Sequence, residues 1–114
     1  MARPSKVKRY GIYLANLDPA MGSELHKMRP VVVVSDDLMN RYLETVVACP
    51  LTTTLHPTWR SRLPVSCDGR PAEVAVDQIR VLAKARLVRH IDQLSSEHAL
   101  KLRLLITQMY GQST

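Results

Sequence analysis

The chain has 114 residues, the size of one domain, and a chain of this length buries roughly two thirds of the surface it exposes when unfolded, so it needs no disulfide staples. Sixteen Lys and Arg residues against ten Asp and Glu give a formal charge of +6, which favours a polyanionic partner: nucleic acid, an acidic protein or an anionic membrane surface. The membrane loses on pattern, because the longest unbroken aliphatic run, Val31 to Val34, is far short of the roughly 20 residues that a spanning helix needs.

Taken in order, the chain is expected to form a single domain over residues 1–114, with residues 1–8 a flexible basic tail. The apolar stretch after that tail is broken by Gly11 and Asn16 and has no clear cleavage site, so the expected location is the cytoplasm. Tyr10, Ile12, Tyr13 and Leu14 mark a first strand within Arg9 to Leu17, ended by the turn pair Asp18-Pro19. A loop from Gly22 to Arg29 follows, carrying Glu24, His26, Lys27 and Arg29. Pro30 pushes Arg29 into an extended conformation, and the β-branched run from Val31 predicts a strand buried on both faces, reaching Ser35. Ser35 or Asp36 can cap a short helical turn over residues 37–42.

Thr45 to Cys49 reads as a third strand that Pro50 ends, leaving the hydroxyls of Thr52, Thr53 and Thr54 at a strand exit. His56 to Trp59 reads as an exposed loop. Arg62 to Val65 is a fourth, edge strand, Asp68-Gly69-Arg70-Pro71 a turn, and Glu73 to Ile79 a fifth strand by its alternation of period two. Lys84 to His90 is basic and ambiguous. Ser95 is a natural N-cap for a last helix, in which Ala99, Leu102, Ile106 and Met109 follow helical spacing up to Gly111. Cys49 and Cys67 form no C-x-x-C pair and read as reduced, buried residues. Short strands with one capped terminal helix predict an α+β, mostly β fold: a small bent antiparallel sheet or partial barrel.

The chemistry narrows by exclusion. The carboxylates are scattered, and His26, His56, His90 and His98 have no ligand spacing, so neither a metal nor another cofactor is expected. No G-x-x-x-x-G-K or G-x-S-x-G is present. Trp59, beside Arg60 and Arg62, is either a base-stacking platform or a cover for the barrel mouth. What remains is cleavage of RNA by its own 2′-hydroxyl, which needs a base, a cation for the phosphorane and a donor for the departing oxygen. Arg29 offers a bidentate fork for phosphate oxygens, Glu24 and His26 are candidate proton carriers, and Thr52 can donate to a phosphate oxygen.

Leu17-Asp18-Pro19, Gly22-Ser23-Glu24, Arg29-Pro30-Val31-Val32-Val33, Pro50-Leu51-Thr52-Thr53 and Val76-Asp77-Gln78-Ile79 stand in the order and spacing of the MazF/PemK toxin endoribonucleases, and in this the chain resembles that family over about residues 9 to 110. The resemblance implies the CcdB/PemK type of bent sheet (a partial SH3-like barrel with a C-terminal helix), a homodimer, and metal-independent cleavage of single-stranded RNA, mRNA foremost, to 2′,3′-cyclic phosphate and 5′-hydroxyl ends. It also implies a cognate acidic antitoxin that blocks the RNA groove. The family's catalytic positions fall on Arg29 and Thr52, with Glu24 in support as base or as the group that orients Arg29. His26, Lys27, Thr53, Trp59, Arg60 and Gln78 are the residues expected to contact RNA.

Two other classes stand beside this one: a non-enzymatic toxin of the same fold that binds DNA gyrase, and a plain RNA-binding barrel. Gyrase poisons of this fold act through C-terminal residues, and Met109 to Thr114 lacks a Trp-Gly-Ile pattern. Deleting Gln112 to Thr114 is therefore expected to leave growth inhibition at the full-length level in colony counts after induction. Loss of toxicity in that deletion would favour gyrase.

Overall fold

A computed structural model describes residues 6–17 and 28–111. The strands are β1 (Gly11–Asn16), β2 (Met28–Val33), β3 (Thr45–Thr52), β4 (Arg62–Cys67), β5 (Arg70–Ala75), β6 (Arg80–Ala83) and β7 (Leu87–Gln93), and the helices are α1 (Asp37–Tyr42) and α2 (Ser96–Ile106). The strands form one antiparallel sheet in the order β4-β5-β3-β2-β1-β7, with β6 also paired to β3. One edge of β3 therefore serves two strands. Thr45 to Ala48 face β6, while Leu51 and Thr52 face β5. Dividing the edge in this way curls the sheet into the half-barrel that the strand pattern predicts.

The valine run behaves as a two-faced strand. Val32 and Val34 enter a core with Ile12, Leu51, Val74 and Leu102, whereas Val31 and Val33 enter a second with Tyr13, Ala48 and Leu87. Alternation at period two explains the division. Helix α2 covers the first core: Leu102 is fully buried, with Ala99, Ile106 and Met109 around it, and the helix continues as a π-helical turn to Gly111. Its N-cap is Ser95, whose hydroxyl accepts from the His98 N–H at 3.1 Å. Asp36, not Ser35, caps α1. Ser35 instead donates to Asn40 Oδ1 at 2.6 Å, so two buried polar side chains satisfy each other between β2 and β3.

Four expectations need correction. Strand β2 begins at Met28, placing Arg29 and Pro30 inside it. Pro50 does not end β3: it pairs with Val31 and lies between the segment that faces β6 and the one that faces β5, so its missing N–H costs no ladder bond. The stretch from Glu73 to Ile79 is not one strand, because Ala72 to Val76 are all buried and a 3₁₀ turn, Val76–Gln78, carries the chain from β5 to β6. Cys67 is only half-buried. The ambiguous Lys84 to His90 resolves into a 3₁₀ turn and most of β7.

The β4–β5 hairpin follows turn chemistry closely. Asp68 (φ 51°) and Gly69 (φ 77°) both take positive φ between Cys67 and its partner Arg70, as a two-residue turn that matches strand twist requires. Of residues 1–8, the first five lie outside the described residues. Val7 packs against the second core, and the Lys8 N–H donates to Tyr13 Oη at 2.9 Å. No helix among the described residues is long and apolar enough to cross a membrane. Leu102→Ala should remove the peg that seats α2 on the sheet, lowering the unfolding free energy in urea titrations by about 2–5 kcal/mol.

Candidate active site

A cleft of about 470 Å³ opens where the start of β2, the end of β3, the start of β4 and the 3₁₀ turn before β6 converge. Arg29, Thr52, His56, Arg62, Gln78 and Arg80 line it. Arg29 is the second residue of β2, paired with Ala15 of β1 and held extended by Pro30. Thr52 is the last residue of β3. Its Oγ1 accepts from the Thr54 N–H at 3.0 Å, leaving the hydroxyl hydrogen available to donate elsewhere.

The loop over residues 53–61 is tied to the cleft by one buried carboxylate. Glu73 stands opposite Thr52 in the β3–β5 register and is 2% exposed. Its Oε1 accepts from the His56 backbone N–H at 2.9 Å and lies 3.9 Å from Arg62 Nη1. Arg62 also donates through Nε to Asp77 Oδ1 at 2.9 Å, and its guanidinium lies 4.7 Å from the centre of the Trp59 ring. The Trp59 indole stacks on His56 at 3.8 Å and 8°. Pro57 stands second in the turn from His56 to Trp59, closed by a Trp59 N–H to His56 carbonyl bond of 2.9 Å, the position where proline pre-sets the backbone.

Charge is therefore unevenly committed. Arg62 is spent on Glu73 and Asp77, whereas the exposed Arg29 and Arg80 have no side-chain partner among the described residues. Two guanidinium groups with no side-chain partner among the described residues, beside a donor hydroxyl, are a set of groups that can bind a phosphodiester. Cys49 is no competing nucleophile: burial above all, with the Asp77 charge adding to it, pushes its thiol up to about 12.

Of the residues singled out from sequence, Arg29, Thr52 and Gln78 share this cleft. Thr53 is exposed beside it, and Trp59 and Arg60 line a separate hollow with Gln108 and Met109. Of the two readings of Trp59, the free platform is narrowed, because the imidazole occupies one indole face. Glu24, His26 and Lys27 lie outside the described residues. The sequence reading missed His56, Arg62 and Arg80 as cleft residues and Glu73 as their anchor. The proline turn was a signal that His56 and Trp59 would meet.

A family model described as PemK-like, MazF-like toxin of type II toxin–antitoxin system matches residues 8–110. The chain belongs to this PemK/MazF family. It is 33% identical over 99 residues to "Endoribonuclease EndoA" of Bacillus subtilis strain 168, an alignment covering 80% of this chain and 83% of the relative. Its fold is that of a mycobacterial endoribonuclease solved in complex with its cognate antitoxin (24% identity, 95% and 98% of the two chains, TM-score 0.77). It is also that of the Mycobacterium tuberculosis toxin MazF-mt6 (23% identity, 91% and 99% of the two chains, TM-score 0.75).

In this MazF-like toxin the Asp77 carboxyl sits below the usual carboxylate range. Burial works against that shift, and hydrogen bonds from Arg62, Ser61 and its own backbone N–H, with the Arg62 charge, outweigh it. A lowered folded-state pKa means stabilisation that is present above the unfolded value and lost as pH falls through the folded one. Wild type should accordingly exceed Asp77→Asn in urea midpoint at pH 6, and the gap should close below about pH 4.

Proposed function

We propose that this PemK/MazF-family toxin is an endoribonuclease that cleaves single-stranded RNA, mRNA foremost, without a metal ion, inhibiting translation and growth. The observation that carries the reading is the convergence of Arg29 and Arg80, which have no side-chain partner among the described residues, with the Thr52 hydroxyl in one open cleft. The relative named "Endoribonuclease EndoA" supports it.

In the proposed reaction the ribose 2′-oxygen attacks the adjacent phosphorus, the bond to the 5′-oxygen breaks, and the products are a 2′,3′-cyclic phosphate and a 5′-hydroxyl. Arg29 stabilises the phosphorane because its planar fork matches two equatorial oxygens and its charge persists throughout. Thr52 donates to a phosphate oxygen and fixes its position. Glu24 takes the 2′-proton or orients Arg29. Arg80 and Gln78 hold flanking nucleotides, with His26, Lys27, Thr53, Trp59 and Arg60 extending the RNA path.

The functional unit is proposed to be a cytoplasmic homodimer of one toxin domain per chain. Its second partner is an acidic antitoxin, as the antitoxin-bound mycobacterial structure suggests; a chain of +6 suits both that partner and RNA, and both complexes weaken as salt rises. The test is incubation of antitoxin-free protein with mixed-sequence single-stranded RNA in excess EDTA, followed by analysis of fragment ends. Cyclic phosphate and 5′-hydroxyl ends should appear, and folded Arg29→Ala should cleave about 10²–10³ more slowly. Intact RNA would overturn the reading, and normal cleavage by Arg29→Ala would overturn the role of Arg29.

A further inference from the structure

The roles given to Arg29, Thr52 and Glu24 leave one proton without a carrier, the one that the departing 5′-oxygen must gain. We propose that His56 delivers it as the general acid, an inference that rests on the endoribonuclease reading above. His56 lines the cleft with Arg29 and Thr52. Its main chain is fixed relative to Thr52, because the Glu73 carboxylate that accepts its N–H stands opposite Thr52 across the β3–β5 ladder. Its ring plane is fixed by the parallel stack on Trp59.

Among the described residues neither ring nitrogen of His56 has a hydrogen-bond partner, whereas His98 Nδ1 lies 3.1 Å from the Ser95 hydroxyl at the α2 cap. His90 leans on Tyr13 at a ring separation of 5.0 Å and lies on β7, away from the cleft. A histidine that lines the cleft, is held by its backbone and its ring face, and has neither ring nitrogen engaged among the described residues is suited to exchange a proton with a ligand. In the step, the bond from 2′-oxygen to phosphorus forms as the bond from phosphorus to 5′-oxygen breaks. The 2′-proton passes to the base, and the imidazolium gives its proton to the 5′-oxygen and becomes neutral.

The experiment compares an RNA oligonucleotide with the same oligonucleotide carrying sulfur in place of the bridging 5′-oxygen, since a thiolate departs without protonation. His56→Gln keeps a planar side chain and the backbone N–H that Glu73 binds, but carries no titrating proton. It should cleave the ordinary RNA about 10²–10⁴ more slowly than wild type and the sulfur-containing RNA at close to the wild-type rate. Equal slowing on both substrates would show a positioning role and overturn the assignment, as would undiminished cleavage of ordinary RNA. If wild type cleaves neither substrate, the endoribonuclease reading itself fails, a result distinct from any His56→Gln phenotype.

Discussion

A carboxylate taken out of water is costly unless other groups replace its hydration, and the cleft of this toxin is assembled around that requirement. Glu73 is almost wholly buried, and its Oε1 accepts a backbone N–H and lies beside a guanidinium. Because those partners belong to the loop over residues 53–61 and to the first residue of β4, satisfying one buried charge fixes both against the end of β3. Removing the carboxylate would free the loop backbone. It would also leave Arg62 with Asp77 as its sole ion-pair partner among the described residues.

The remaining rigidity comes from β2. A strand with valines alternating into two cores resists sliding and rotation, since a slip of one residue would exchange every buried side chain between the cores. Arg29 stands at the start of that strand, so its side chain projects from a main chain held in the ladder with β1. The site thus combines a stiff floor, set by hydrophobic burial in β2 and β3, with a wall held by polar contacts. A cation set on a stiff floor suits the proposed electrostatic stabilisation of a phosphorane.

How much of this could be read from the residues alone depends on how local the cause was. The valine run and the α2 face are short-range patterns, and the structure shows both as expected; the turn expected over Asp68 to Pro71 is narrower, because Asp68 and Gly69 alone make it and Arg70 and Pro71 open β5. Pro50 and the stretch from Glu73 to Ile79 misled because their conformations answer to non-local partners: β3 changes neighbours at Pro50, and β5 must turn a corner to return as β6. Arg29 and Thr52 were legible as a pair because their motifs stand apart from the background. Arg62 and Arg80 were not, since sequence does not show which of the 16 basic residues face one another across a curled sheet. Glu73 was hidden by its position in a strand pattern, where a charged residue is ordinarily assigned to solvent.

The divided edge of β3 has one more consequence. Because β6 leaves that edge at Ala48 and β5 joins it at Leu51, the sheet carries a seam on the side where the 3₁₀ turn crosses and the cleft opens. Residues bordering the seam, such as Gln78 and Arg80, are exposed and contribute little to either core. Their side chains are accordingly free to vary among descendants of this fold without loosening the strands beneath. The buried framework and the exposed lining of the cleft are separable parts, so the chemistry that the cleft presents can change by drift along the seam while the folded scaffold stays unchanged.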